Sequence, residues 1–494
     1  MNVLKGLEPA SVFRFFEEIC GIPHGSGDTK RISDYCVQFA KERGLEVRQD
    51  EFNNVVIREK GTPGYENAAP VMLQGHIDMV CEKEAGCDID FAKDGLRLRL
   101  ENGIVTADGT TLGGDDGIAA AYMLAILDSD TIPHPPLECV LTVDEEIGML
   151  GAAAMDMSDL KSRIMLNIDS EDEGFLLVSC AGGMTARCLL PVERASMSGT
   201  KAEIKVTGCM GGHSGTEIDK GRANASMVLG EVLEALKKDL PFRLVAVNGG
   251  LKDNAIPREA AAELVFADDA GAAEKIAALG EALQKRFADA DPGIRIEYAA
   301  ETGSSNGAAP SDMDTGAAAF APMTEESTER VIRALRSMPN GVQKMSADIE
   351  GLVQTSLNLG IMKTEAGQVS FAFSVRSSVE EEKQALRKEL ERVTTSLGGT
   401  VEVQGEYPAW EYRKESPLRD LMVEVYTEQY GKPPVVQAIH AGVECGLFSG
   451  QLPGLDCVSF GPDMKDIHTP KESMDVGSVR RTWDYLLEIL RRLK

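Results

Sequence analysis

Apolar runs alternate with amphipathic stretches between about residues 33 and 190. The runs "VMLQGHI", "LECVLTV" and "IMLNID" predict strands, whereas "GIAAAYMLAIL" has Ile118, Tyr122, Met123 and Ile126 at helical spacing. Alternating strands and helices predict an α/β sheet that is covered by helices. Parallel sheets carry functional groups at their strand ends, and polar clusters directly follow the apolar runs here.

A different pattern begins after residue 187. Strands are predicted at "EIKVTG" and "AELVFADD", followed by a helix at "AAEKIAALGEALQKRF" and a strand at "GIRIEYAA". The same order returns later with "VSFAFSVRSS", "EEEKQALRKELERVTTSL" and "TVEVQGEY". We interpret this as a duplicated β-α-β unit, with the loop "TGSSNGAAPSDMDTGAAAFAP" between the copies. The predicted organisation is a first domain at 1–186 and 405–494, with a second domain inserted at 187–404.

Composition narrows the class of protein. The net charge of -28 repels phosphate backbones and anionic lipid, so nucleic acid and membrane surfaces are not expected as partners. No apolar run reaches the roughly 20 residues of a membrane helix, and the amino terminus does not resemble a signal peptide. The ten cysteines include no CxxC pair, which is typical of a reducing compartment. We therefore expect a cytoplasmic protein.

The first candidate for chemistry is His76 in "QGHIDMV". A lone histidine at a strand end is more often structural than a metal ligand. Here Gly75 permits a close approach, and Asp78 is spaced to accept the second imidazole N–H. A metal-bound histidine usually has such a carboxylate partner, which sets its tautomer.

Two acidic clusters follow. In "TLGGDDGIAAAYMLAIL", one aspartate can cap the helix, but two adjacent carboxylates after two glycines exceed what a cap requires. Asp115 is therefore a candidate to bridge two cations. In "LTVDEEIGMLGA", the triplet 144–146 is either a solvated loop or the mouth of a cleft, where one carboxylate binds metal and its neighbour serves as a base.

Two further residues complete the set. Asp169 ends the apolar run of "IMLNIDSEDEG", and His468 lies in "DIHTPKESMDVGSV" near the carboxyl terminus. Taken alone, His468 would be interpreted as a surface-loop histidine. Together these sites offer mixed imidazole and carboxylate ligation, which suits Zn²⁺, with Co²⁺ or Mn²⁺ possible in the same geometry.

The order of "HIDMV", "LGGDDG", "DEEIG", "NID" and "HTPKE" resembles the M20 metallopeptidases, and within them the cytosolic aminoacyl-histidine (Xaa-His, carnosinase-like) dipeptidases. The likeness extends to "EICGIPHGSG" near the start and to "GGHSG" and "NAIPREA" in the inserted region. It implies a zinc-peptidase-like catalytic domain with a mostly parallel sheet. It also implies an inserted α+β lid domain through which the protein would form a homodimer.

The resemblance further implies two divalent metal ions bridged by Asp115. His76 and Asp169 would complete the shell of one ion. Glu146 and His468 would complete the shell of the other.

The same resemblance assigns roles around the metals. Asp78 would orient His76, and Glu145 would be the general acid/base. In this family the peptide bond after the bridging aspartate is cis, so the Asp115–Asp116 bond is expected to be cis as well.

The inserted region and the final segment supply candidates for substrate binding. His213 in "GGHSG" would polarise the scissile carbonyl as the family's lid histidine does; the alternative is a glycine-rich turn with an incidental histidine. Asn254 resembles a substrate-contacting asparagine. Arg376 is either a partner for a substrate carboxylate or part of a surface salt bridge. In "AIHAGVECGLF", His440 is a further candidate and Glu444 would receive a free amino terminus.

These residues predict a metal-dependent dipeptidase, of Xaa-His type on the strength of the resemblance, acting on small peptides. An M20 tripeptidase or an N-acyl amino acid deacylase would keep the metals and change the substrate. A non-catalytic homologue is disfavoured, because all five metal positions and the base are present.

Overall fold

The computed structural model describes residues 2–301 and 321–494. The chain forms two compact units. The first contains Met1–Cys180, Ala409–Ile439 and Val443–Lys494. The second contains Ala181–Pro408 and His440–Gly442.

The described residues contain helices and strands in the following order. The helices are α1 Ala10–Cys20, α2 Lys30–Glu42, α3 Gly114–Leu127, α4 Leu150–Ala154, α5 Ala225–Lys237, α6 Ala272–Arg286, α7 Glu325–Ser337, α8 Glu380–Ser396, α9 Pro417–Tyr430, α10 Glu444–Gln451 and α11 Val476–Arg492. The strands are β1 Glu46–Gln49, β2 Val55–Glu59, β3 Val71–His76, β4 Leu98–Glu101, β5 Ile104–Ala107, β6 Leu137–Thr142, β7 Ile164–Asn167, β8 Phe175–Cys180, β9 Gly182–Pro191, β10 Thr200–Thr207, β11 Gly212–His213, β12 Phe242–Gly249, β13 Ala255–Ile256, β14 Ala260–Phe266, β15 Arg295–Ala300, β16 Gly341–Met345, β17 Val353–Thr364, β18 Gln368–Ser377, β19 Thr400–Tyr407, β20 Val435–Ile439, β21 Asp456–Ser459, β22 Met464–Lys465 and β23 Ser473–Asp475.

An eight-stranded sheet in the order β1-β2-β6-β3-β7-β21-β8-β20 is the centre of the first unit. Strands β6, β3, β7 and β21 run parallel to one another. Strands β3 and β6 are buried at every position, because both faces of a parallel sheet are covered. Helix α3 is likewise buried along its whole length, as the uninterrupted apolar sequence after its first turn requires. The predicted α/β fold with a mostly parallel sheet is confirmed.

A nine-stranded antiparallel sheet is the centre of the second unit. In one half, β14-α6-β15 places β14 and β15 on either side of β10. In the other half, β18-α8-β19 places β18 and β19 on either side of β9 in the same way. The two β-α-β segments therefore have matching topology, as the repeated pattern predicts. The predicted interdomain boundaries fall inside β9 and β19, and residues 302–320 of the predicted loop lie outside the described residues.

All ten cysteines are free thiols. Within the two described ranges, none of the helices is both long enough and apolar enough to span a bilayer.

Candidate active site

His76 ends β3, between β6 and β7, and is 1% exposed. Its Nδ1 lies 3.0 Å from the main-chain oxygen of Asp78 and 3.4 Å from Oδ1 of the Asp78 carboxylate. Because both neighbours are acceptors, Nδ1 carries the proton in the neutral ring and the Nε2 lone pair faces Asp115. Nε2 lies 3.1 Å from Oδ1 of Asp115.

Asp115 lies between two imidazoles. Its Oδ1 is 3.1 Å from Nε2 of His76, and its Oδ2 is 3.1 Å from Nε2 of His468. The side chain of His468 is 46% exposed, yet its ring is directed at carboxylates rather than at solvent alone. The peptide bond from Asp115 to Asp116 is cis, as expected.

The acidic triplet 144–146 follows β6, and one of its carboxylates contacts His468. Oε2 of Glu146 lies 2.9 Å from Nε2 of His468. Asp78 holds this loop, because its carboxylate accepts hydrogen bonds from the backbone N–H groups of Glu145 (3.1 Å) and Glu146 (3.4 Å). The Ser26 hydroxyl also donates to Asp78, at 2.8 Å.

Two groups of possible ligand atoms, each within 4.8 Å of one another, occur in the described part of the chain. One group is His76, Asp115 and Glu146; the other is His76, Asp116 and Asp169. Oδ1 of Asp169 lies 3.9 Å from Nε2 of His76. The five residues predicted to bind metal are thus close together, and Asp116 joins them although the sequence did not single it out as a ligand.

The pKa shifts within the cluster indicate whether it favours divalent cations. Burial raises the pKa of Glu145 to about 8 and raises the pKa of Asp169 well above its usual value. Contacts with Asp115 and Glu146 raise the pKa of His468 to about 10. Burial opposes protonation of His76, but its contacts with Asp115 and Asp78 outweigh burial and raise its pKa. Neighbouring carboxylates add to burial in raising the pKa of Glu145 and Asp169, so positive charge is favoured within the cluster.

Two buried carboxylate oxygens of the cluster, Oδ1 of Asp116 and Oε1 of Glu146, have no hydrogen-bond partner among the described residues. Buried charged oxygens are costly unless they are paired or bind metal. Imidazole nitrogens and carboxylate oxygens are suitable ligands for Zn²⁺, Co²⁺ and Mn²⁺. The residues present fit divalent metal ions.

Glu444 is fully buried at the start of α10 in the first unit. Its Oε2 accepts hydrogen bonds from the Gln74 amide (2.5 Å) and the Thr142 hydroxyl (2.6 Å). Asn167 donates in turn to the Gln74 amide oxygen at 2.5 Å. Burial raises the pKa of Glu444 to about 7. This network links the ends of β3, β6 and β7, and a role for Glu444 in binding a substrate amine stays a prediction.

His213 belongs to the second unit, where a backbone turn sets its tautomer. Its Nδ1 accepts hydrogen bonds from the N–H groups of Gly215 and Thr216, both at 3.2 Å. The neutral ring therefore carries its proton on Nε2. Burial lowers the pKa of His213, which favours this neutral form. Asn254 lies next to this turn, and its main-chain carbonyl accepts a hydrogen bond from the backbone N–H of Ser214 at 2.8 Å.

Arg376 and His440 also belong to the second unit, although the sequence assigned residue 440 to the first. Arg376 is 9% exposed and donates to the Tyr407 hydroxyl at 3.2 Å. It has no carboxylate partner in residues 2–301 and 321–494, so it does not form the surface salt bridge considered above. Nε2 of His440 lies 2.7 Å from the Ser356 hydroxyl. Burial, reinforced by Arg376, lowers the pKa of His440 to about 3.

Glu472 was missed as a functional candidate. It is 3% exposed and accepts hydrogen bonds from four consecutive backbone N–H groups, those of residues 112–115. The available signal was its position in "HTPKE", four residues after His468.

Comparisons with known proteins identify the family of the chain. The sequence profile of peptidase family M20/M25/M40 matches residues 72–492. The cytosol non-specific dipeptidase of Escherichia coli (strain K12) is 36% identical over 502 residues, covering 100% of this chain and 99% of that protein. The crystal structure of aminoacylhistidine dipeptidase from Vibrio alginolyticus has a TM-score of 0.90 and 36% identity, covering 99% of this chain and 97% of that one.

A tripeptidase from Staphylococcus aureus shares the fold at 16% identity, with a TM-score of 0.54 and 99% of each chain covered. The family profile spans most of the sequence and includes all five predicted metal ligands. The predicted resemblance to M20 metallopeptidases is confirmed. The chain belongs to peptidase family M20/M25/M40.

Proposed function

We propose that the protein is a metal-dependent dipeptidase whose two divalent ions share Asp115. His76 and Asp169 would hold one ion, and Glu146 and His468 the other. The observation that carries this proposal is the Asp115 carboxylate, with one oxygen 3.1 Å from His76 and the other 3.1 Å from His468. A carboxylate with a separate imidazole at each oxygen is suited to bridging.

The residues around this carboxylate have distinct tasks. Bound divalent ions would polarise the peptide carbonyl and lower the pKa of a water molecule. Glu145 takes the proton of the attacking water and passes it to the leaving amine nitrogen. Asp78 keeps the proton of His76 on Nδ1, which leaves Nε2 available to bind metal.

For the second unit we retain the predicted roles toward substrate. His213 offers an Nε2–H to the carbonyl oxygen of the scissile bond, and one such donor typically contributes about 3–4 kcal/mol of transition-state stabilisation. Arg376 binds the substrate carboxylate, since its guanidinium is buried and matches that group in a bidentate fork. Asn254 and His440 are retained as substrate contacts.

We also propose a specific class of substrate and a specific metal, which the fold alone does not determine. The two relatives with 36% identity carry different descriptions, a non-specific dipeptidase and an aminoacylhistidine dipeptidase. We propose dipeptides with carboxyl-terminal histidine among the substrates, Zn²⁺ as the metal, a cytoplasmic location and a homodimer formed through the second unit.

Metal analysis followed by a peptide panel tests the proposal. We expect about two divalent ions per chain, hydrolysis of dipeptides, and loss of hydrolysis in chelator that returns with Zn²⁺ or Co²⁺. Acetylating the amino group separates the alternatives, because a deacylase would accept N-acetyl amino acids and a tripeptidase would prefer the longer peptide. Dipeptide hydrolysis that persists after complete metal removal would contradict the proposal, and a metal-loaded protein inert on the whole panel would favour a non-catalytic homologue.

A further inference from the structure

Glu472 is a buried carboxylate with an unusual set of partners. No Lys, Arg or His in the described ranges forms an ion pair with it. Its Oε2 accepts hydrogen bonds from the N–H groups of Leu112 (2.8 Å) and Gly113 (3.2 Å). Its Oε1 accepts from those of Gly114 (2.8 Å) and Asp115 (3.4 Å). Both carboxylate oxygens of Glu472 are therefore paired with backbone N–H groups of the segment that ends at Asp115.

The local backbone explains why this segment needs an acceptor. Gly113 is left-handed, and the φ/ψ values of Asp115 and Asp116 are not helical although they lie within α3. The N–H groups before a helix have no intrahelical acceptor, and buried donors must be satisfied by another group. The segment also has to pass very close to the carboxylate. A Cβ at Gly114 would lie 3.3 Å from Oε1 of Glu472 and 3.0 Å from Sδ of Met464.

The same short loop carries His468 and Glu472. The N–H of Glu472 donates to the carbonyl of Thr469 at 3.1 Å, and that of Thr469 donates to Asp466 at 3.2 Å, so the loop is folded on itself. His468 adopts a left-handed conformation within it, with φ 62°. His468, at one end of the loop, thus contacts the Asp115 side chain, and Glu472, at the other end, accepts the backbone N–H of Asp115.

We propose that Glu472 is a positioning residue that fixes Asp115 relative to His468, and with it the spacing of the metal ligands; this rests on the proposed function. Asp78 is a precedent in the same unit, because it accepts the N–H groups of Glu145 and Glu146. Both buried carboxylates act on ligand-bearing loops through the backbone, without binding metal themselves.

Titration of the metal-stripped protein with Co²⁺ tests this role. In Glu472→Gln, one oxygen is replaced by an NH₂ group that faces backbone N–H groups, so two hydrogen bonds become repulsive contacts. We expect Co²⁺ affinity about 10- to 100-fold below wild type, the range typical for residues that support metal ligands. Glu472→Asp keeps the charge but is one methylene shorter, and should recover part of the affinity.

Glu138→Gln is the matched control. Glu138 is also 3% exposed in the first unit and accepts backbone N–H groups, those of Lys161 (3.0 Å) and Ser162 (2.8 Å), but it contacts none of the metal candidates. It differs from Glu472 in that its other oxygen pairs with Arg58 at 3.1 Å, so the stability of this variant also includes the loss of that ion pair. This variant should unfold at a lower temperature with unchanged Co²⁺ affinity. If Glu472→Gln behaves like Glu138→Gln, Glu472 is merely structural and the inference is wrong.

A measurement on the wild type covers the case in which Glu472→Gln does not fold. Amide hydrogen exchange at residues 112–115 should be slow even without metal, because Glu472 supplies the acceptors. Fast exchange there would overturn the inference. Failure of the wild-type protein to bind Co²⁺ would instead overturn the proposed function, so the two failures are distinguishable.

Discussion

The polar clusters of the two units differ in charge: carboxylates predominate in the first, and an arginine lies beside two histidines in the second. In the first, the carboxylates of Asp115, Glu146 and Asp169 crowd around His76 and His468, whose pKa values are raised. In the second, His213 and His440 lie in the field of Arg376, and burial together with that guanidinium lowers both of their pKa values. The first arrangement favours cations, and the second offers hydrogen-bond donors and positive charge to an anion or a carbonyl oxygen.

The means of holding these groups is nevertheless the same in both units. Glu472 and Asp78 accept backbone N–H groups in the first unit. In the second, the fully buried Asp291 accepts the N–H groups of Met210 and Ala223, both at 2.6 Å, on either side of His213 in the chain. In both units, buried carboxylates thus accept backbone N–H groups of the loops that carry candidate functional residues.

The largest effect is expected from Glu145→Gln, which should lower kcat by about 10²- to 10⁴-fold with both metals retained. We propose Glu145 as the proton carrier because Asp78 holds the backbone of both residues, but Glu146 is the one whose carboxylate contacts His468. Steady-state kinetics and metal analysis of the same preparation measure both quantities.

The neighbouring variant Glu146→Gln supplies the contrast. It should lose metal as well as activity, because Glu146 lies 2.9 Å from His468. Full turnover in Glu145→Gln would remove that residue from the base role, and metal loss in it would make it a ligand.

The metal candidates were predictable from the sequence for a physical reason. His76, Asp169 and the triplet after β6 all follow apolar runs, and the carboxyl ends of parallel strands meet at one edge of a sheet. The repeated β-α-β pattern likewise predicted two matching segments around β9 and β10. A regular period, or a fixed position at the end of a strand, can be recognised in a single sequence.

Residues that act through the main chain leave no comparable pattern. Glu472 and Asp291 satisfy backbone N–H groups far away in the chain, and any acidic residue in a loop looks the same. The sequence offers Asp116 only as one of two aspartates that can cap a helix, because the hydrogen bond from the backbone N–H of His76 to its Oδ2 depends on tertiary packing. The assignment of residues 440–442 to the second unit also escaped prediction, since three residues carry no compositional signal.

Arg376→Gln should lower kcat/KM for a dipeptide by about 10- to 100-fold, because a hydrogen bond to a charged group contributes about 1.5–3 kcal/mol. The same variant should treat a dipeptide amide like wild type, since that substrate lacks the carboxylate. Arg187→Gln is the control: Arg187 lies on β9 in the same sheet and pairs with Glu365 at the surface. Equal losses on the free acid and the amide would remove Arg376 from carboxylate binding.

His440 predicts a pH dependence of stability in the second unit. Its pKa is about 3 in the folded protein and about 6.5 in the unfolded chain, so below pH 6.5 the unfolded state binds one more proton. Compared with His440→Asn, the free energy of unfolding should therefore fall more steeply as the pH decreases, and the extra slope should approach about 1.4 kcal/mol per pH unit near pH 5. Denaturant unfolding at pH 7, 6 and 5 measures the slopes. Parallel curves would mean that Arg376, His213 and burial do not keep the ring neutral.

The smallest effects are expected at helix caps, one in each unit. The Thr324 hydroxyl accepts the Ser327 N–H at 3.2 Å at the start of α7, so Thr324→Ala should lower the free energy of unfolding by about 1 kcal/mol. The Ser416 hydroxyl caps α9 and also donates to Asp456 at 2.6 Å, so Ser416→Ala leaves a buried carboxylate oxygen without its donor and should cost more, about 2 kcal/mol. Hydrogen exchange should locate each loss in the unit that carries the substitution, with kcat unchanged. Destabilisation spread evenly over both units would mean that they unfold as one, and that their separate polar clusters share a single cooperative scaffold.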